Sequence, residues 1–151
     1  MKPFVFKLQR SLDLKLKEEE YLKTELQQQC EKVEECELYV KHNKEAMAEA
    51  IKKCKPQQGT AFDLDSRMIF SHFWQRLQEK EDELYEHLSS EREKEQEIRE
   101  QLHKTMNERK ILEKLRDKHL TAYQKEVLSE EQKVLDEMAL NRFIASNNKG
   151  E

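Results

Sequence analysis

Cys54-Lys55-Pro56-Gln57-Gln58-Gly59 is the one place inside the 151-residue chain where proline and glycine fall close together. Proline removes a helical hydrogen bond and glycine permits a tight turn, so this stretch predicts the end of one helix and a reversal of the chain. On its far side about eighty residues, 65–143, pass without a Gly or a Pro. At about 1.5 Å rise per residue that is a helix of roughly 120 Å, too long to fold into one globule. The residues before the break are equally free of both back to Phe4. The expected fold is therefore all-α: an antiparallel two-helix coiled-coil hairpin, a single elongated domain over 1–151, with the second helix much longer and overhanging the first. Its parts are helix 1 over about 5–55, a loop over about 56–63, helix 2 over about 65–143 and a frayed tail, 144–151. Thr60 and Asp63 have capping-box spacing, and Asp65 or Ser66 are alternative caps.

Composition agrees. Charged residues make up 40% of the chain and hydrophobic ones 36%, with two Gly and two Pro and a mean hydropathy of -1.07. Such a balance suits a long helix and excludes a large core. Lys and Arg number 28 against 32 Asp and Glu, a net charge of -4 with the signs interspersed. No general basic field for nucleic acid results. No apolar run approaches the length of a membrane span, and MKPFVFKLQR lacks the apolar segment of a signal peptide, so a cytoplasmic protein is expected. Cys30, Cys36 and Cys54 lack CxxC spacing and read as small apolar seam residues.

Residues 2–17 carry Lys2, Lys7, Arg10, Lys15 and Lys17 against Asp13 alone, among Phe4, Val5, Phe6, Leu8, Leu12, Leu14 and Leu16. This basic start reads either as a surface for an anionic membrane or a partner, or as the beginning of a coiled coil. A heptad follows. One seam position takes Leu12, Glu19, Leu26, Val33, Val40, Met47 and Cys54; the other takes Leu8, Lys15, Leu22, Gln29, Cys36, Asn43 and Ala50. Polar residues at such positions fix register at a cost in stability. Tyr39 lies outside both.

The long helix has three zones. Met68, Ile69, Phe70, Phe73, Trp74 and Leu77 crowd its start, with Leu84 and Leu88 continuing the stripe. Ser89–Glu97 has no apolar side chain, and a seam resumes with Ile98, Leu102, Met106, Ile111, Leu112 and Leu115. Its spacing drifts from sevens between Leu102 and Leu120, the mark of a stutter. A turn centred near Gly59 would set residue i opposite about 118 minus i, leaving nothing to cover helix 2 beyond about 114. Yet Leu120, Tyr123, Val127, Val134 and Met138 continue along one face. That overhang is expected to dock on another protein or on a second copy. The crowded aromatic start exceeds what a two-stranded seam uses. It reads either as a plug closing the tip against Ala48, Ile51 and Cys54, with Phe70 and Trp74 inward, or as a partner site with Phe73 and Leu77 outward.

Catalysis is not expected. One internal glycine cannot build a phosphate loop, no HExxH occurs among His42, His72, His87, His103 and His119, and a thin rod offers no cavity for a small-molecule substrate. No cofactor or metal is implied.

The start Phe4-Val5-Phe6-Lys7-Leu8-Gln9-Arg10-Ser11-Leu12-Asp13-Leu14-Lys15 and the ending Leu135-Asp136-Glu137-Met138-Ala139-Leu140-Asn141-Arg142-Phe143 resemble those of the flagellar FliJ family. So do the length, the break near residue 58 and the aromatic patch after it. The resemblance implies a non-enzymatic coiled-coil stalk of the bacterial flagellar type III export apparatus, cytoplasmic and peripheral to the inner membrane. It implies three partners: the export ATPase ring, the cytosolic domain of the membrane export gate, and export chaperones. Phe4, Phe6, Leu8 and Leu12 with Leu120, Tyr123, Val127, Leu135, Met138, Arg142 and Phe143 would meet the ring. Tyr39, Asn43, Phe70, Phe73, Trp74 and Leu77 would face the gate. Members are often basic, and the pI of 5.8 here departs from that. The alternatives are a self-associating coiled-coil scaffold and the equivalent stalk of a virulence-type secretion system.

Overall fold

The computed structural model describes residues 2–54 and 64–147. Two helices pack antiparallel: α1, Gln9–Cys54, of 46 residues, and α2, Leu64–Asn147, of 84. The expected turn, with Thr60 and Asp63, lies outside the described residues. By packing, the chain divides into two compact units, Met1–Glu18 with Lys104–Glu151, and Glu19–His103. Each helix contributes to both.

In the unit Glu19–His103 the seam follows a strict alternation of three and four residues. On α1, Glu19, Leu22, Gln29, Val33, Cys36, Val40, Asn43 and Ala50 are buried, with Leu26 and Met47 half-buried between them. On α2 the same alternation runs through Phe70, Trp74, Leu77, Glu81, Leu84, Leu88, Glu91, Glu95, Ile98 and Leu102. Two facing stripes of this period make a coiled-coil seam. Val33, Cys36, Val40 and Leu88 form its apolar centre, with Leu84 packed against them. The stretch Ser89–Glu97 keeps register without an apolar residue because Glu91 and Glu95 occupy its seam positions. Gln29 donates from its side-chain amide to both the carboxylate and the backbone carbonyl of Glu91, and Cys30 Sγ lies 3.6 Å from Glu95 Oε1. Asn43 Nδ2 donates to the Leu77 carbonyl at 3.2 Å.

The Gln29 and Asn43 contacts lie two residues beyond the approximate register expected. Gln29 meets residue 91 rather than 89, and Asn43 meets 77 rather than 75. In the other unit the offset grows: Lys15 Nζ pairs with Glu108 Oε2 at 2.6 Å, five residues beyond the expected position.

Helix 1 begins at Gln9, not near residue 5. Aromatic and β-branched residues pay χ1 entropy in a helix, and residues 2–8 instead form a non-helical arm laid on α2. Phe6 sits edge-on to His119 with ring centroids 5.8 Å apart, and Phe4 packs on Tyr123 at 5.6 Å. Two arm residues thus span four residues of α2, as an extended chain at about 3.3 Å per residue does beside a helix at about 1.5 Å. This geometry carries the offset further along the arm than the Lys15–Glu108 pair shows within α1. It also places Phe6 in the core while Leu8, expected on the seam, is exposed. From Thr105 to Arg116 the buried stripe of α2 broadens to adjacent pairs, then shifts phase to Leu120, Tyr123 and Val127. Leu112 takes the inward position there and Ile111 faces out, 64% exposed. At the far end α2 continues to Asn147, so the first part of the expected frayed tail is helical.

Candidate partner-binding surfaces

The terminal surface is built by the arm and α2. Tyr123 Oη donates to the Lys2 carbonyl at 2.8 Å, fastening the arm at its start. Between arm and helix runs an open groove of about 770 Å³, lined by Lys2, Phe4, Val5, His119, Tyr123 and Glu126. The overhang therefore begins later than expected: Leu120, Tyr123 and Val127 are half-buried, and every residue from Leu128 to Asn147 is exposed. Leu135, Met138 and Phe143, singled out from sequence, are 56–64% exposed there, and Arg142 is exposed with them. Leu128, Val134, Leu140 and Ile144 are exposed beside them, at 49–65%; the four-residue step from Leu140 to Ile144 was the available signal for the last two. Of the candidate residues at the start, Phe6 and Leu12 are buried against the chain itself, Leu12 at 1% exposure, and Phe4 is half-buried. Leu8 alone of the four is open.

The ion pair of Lys15 with Glu108 sets the local electrostatics. Its hydrogen bond holds the Glu108 carboxyl below the ordinary carboxylate value and, with Glu18, raises the Lys15 ammonium.

The second surface lies at the start of α2. Phe70 and Trp74 are half-buried with their rings stacked, centroids 6.1 Å apart and planes 19° apart. Phe73 is 48% exposed, and Leu64, Met68 and Ile69 are more so. Leu77, expected to face out, is buried at 9% because it lies three residues after Trp74 on the seam. Ala48 and Ile51, expected to receive a plug, are exposed; Met47 and Ala50 hold the α1 seam positions. The side chain of Cys54 lies outside the described residues. Asn43 is buried and spent on the Leu77 carbonyl. Tyr39 is exposed, donating to Glu35 Oε1 at 3.0 Å, and that bond pushes its hydroxyl pKa up. The structure thus keeps Tyr39 and Phe73 on the surface, half-buries Phe70 and Trp74, and withdraws Asn43 and Leu77.

Among the described residues no group of three or more His, Cys, Asp or Glu is placed to hold a metal ion, and no helix is long and apolar enough to cross a membrane. The thiol pKa values of Cys30 and Cys36 are pushed up, chiefly by burial.

Compared with known proteins, residues 4–148 match the family described as Flagellar FliJ protein. No curated protein and no solved structure matches the chain.

Proposed function

The chain belongs to the flagellar FliJ family, which makes it a component of the flagellar export apparatus, and from this premise we propose that it is a stalk docking in the export ATPase ring. The observation that carries the reading is the end of α2. Seven large apolar side chains between Leu128 and Ile144 are 49–65% exposed, although a helix owes most of its stability to packing such residues. A partner that buries them recovers about 1.5–3 kcal/mol for each one fully covered. The ring-facing set is then Leu8 with Leu135, Met138, Arg142 and Phe143, while Phe4, Phe6, Leu12, Leu120, Tyr123 and Val127 support it from beneath. A rod inside a symmetric ring meets unlike subunits, and so couples the nucleotide state of one to the next without catalysis of its own.

Phe73, with Met68, Ile69 and the stacked Phe70 and Trp74, forms the surface for the cytosolic domain of the export gate; Tyr39 is a separate exposed contact for it. Export chaperones are the third partner. The protein works in the cytoplasm at the periphery of the inner membrane, held there through the apparatus. A second reading, self-association of the same exposed stripe into a scaffold, rests on the same residues. Sedimentation decides between them. A monomer that joins the cognate ATPase in the presence of a nucleotide analogue supports the stalk; a homodimer indifferent to the ATPase supports the scaffold. Transfer to the virulence-type ATPase in place of the flagellar one would move the stalk to that system.

A further inference from the structure

Charge is unevenly distributed in this acidic chain. Residues 2–17 and 104–125 together carry twelve Lys and Arg against four Asp and Glu, net +8, whereas the whole chain is -4. Within the first of these segments the structure separates two sets of side chains. Lys15 is engaged by Glu108 and Glu18, and Phe4, Phe6 and Leu12 are packed on α2 or buried. Lys2, Lys7, Arg10 and Lys17 are exposed, and so are Val5, Leu8, Leu14 and Leu16. On α1, Arg10, Leu14 and Lys17 follow one another at steps of four and three, so they share the stripe opposite the buried Leu12.

We propose that this outward face of the arm and the first turns of α1 binds the anionic surface of a lipid bilayer directly. The chemistry selects that occupant. Lys and Arg near an anionic leaflet are each attracted within about a Debye length, and apolar side chains interleaved with them enter the headgroup boundary. Val5 at 74% and Leu14 at 66% exposure supply that apolar share. A nucleic acid offers no counterpart to those aliphatic chains, and the aromatic rings that stack on bases, Phe4 and Phe6, are turned onto Tyr123 and His119. The contact differs from that of an inserted amphipathic helix, because the seam face of α1 stays packed on α2. It is shallow and salt-sensitive, and it brings a protein without a membrane-spanning helix among its described residues to the lipid surface independently of the ATPase.

The test is flotation of the full chain with vesicles of phosphatidylcholine alone and with vesicles containing phosphatidylglycerol, at low and high salt. The expected result is binding only to the anionic vesicles, released by salt. Replacing three exposed cations in Lys7→Glu/Arg10→Glu/Lys17→Glu should weaken it by about a hundredfold or more, and Leu14→Ser should weaken it with no change of charge. Circular dichroism of each variant confirms that the helices are intact. Three outcomes overturn the proposal: no binding of the wild-type chain to anionic vesicles at low salt, equal binding by the triple variant, or binding of duplex DNA as tight as that of the vesicles. None of these readouts involves the ATPase, so failure here leaves the stalk reading standing, and the reverse.

Discussion

The Gln29 side-chain amide is turned across the seam onto Glu91, reaching its carboxylate and its backbone carbonyl together. Lys94 adds an ion pair to the other carboxylate oxygen at 3.0 Å. The residue pair sits where two apolar side chains would pack better, so its value lies in register: a shifted pairing would leave Glu91 facing an apolar residue. A buried polar group deprived of its partner costs more than the pair contributes. Gln29→Leu should therefore lower the melting temperature, while Gln29→Leu/Glu91→Leu should restore or exceed the wild-type value and broaden the range of oligomers seen by sedimentation. A double variant less stable than the single would contradict this.

Acid should weaken the hairpin at two defined places. The Glu91 carboxyl is held below its ordinary value of 4.5 by the Gln29 amide and then by Lys94, and that of Glu108 by Lys15. A carboxylate whose folded pKa is depressed adds stability above its unfolded pKa and loses it as pH falls through the folded one. Thermal melts should then be flat from neutral pH down to about pH 5 and decline below the ordinary Glu value. Lys15→Met should reduce that decline. An unchanged slope in the variant would remove Glu108 from the explanation.

Leu12 and Phe143 are predicted to separate stability from binding. Among the described residues Leu12 is the most deeply buried large side chain, and Leu12→Ala should cost about 2–4 kcal/mol in unfolding measurements. Phe143→Ala, at an exposed site, should leave the melt unchanged and weaken association with the ATPase.

The arm should protect α2 locally. Removing residues 2–8 takes away the Phe4 ring, the Phe6 ring and the acceptor for Tyr123 Oη. Hydrogen exchange at residues 119–127 should rise, while exchange around Val33, Val40 and Leu88 stays slow. Uniform acceleration along both helices would instead mean that the arm nucleates the whole pairing.

The α1 seam was legible from sequence because its apolar residues mark almost every heptad; the Leu12–Ala50 stripe follows the period counted from the residues alone. Four features were not. Ser89–Glu97 offers no apolar marker, and only the facing Gln29 shows that Glu91 is a seam residue. Adjacent apolar pairs such as Ile111 and Leu112 leave the inward member undetermined until the partner strand of the seam is placed. The arm extends the register shift because a non-helical chain advances along a helix about twice as fast per residue, which heptad counting cannot register. At the aromatic patch, Leu77 looked like surface for a related reason: six apolar residues within ten positions surround the helix, and the seam through Phe70 and Trp74 decides which turn inward.

The activity of the cognate export ATPase with the full chain, set beside that with Leu135→Ser/Met138→Ser/Phe143→Ser, is the most direct test of the proposed docking, which expects stimulation by the full chain. These side chains are exposed and make no part of the hairpin seam, so the variant should fold with an unchanged melt and lose stimulation. Full stimulation by a folded variant would place the ring contact elsewhere and contradict docking through the end of α2.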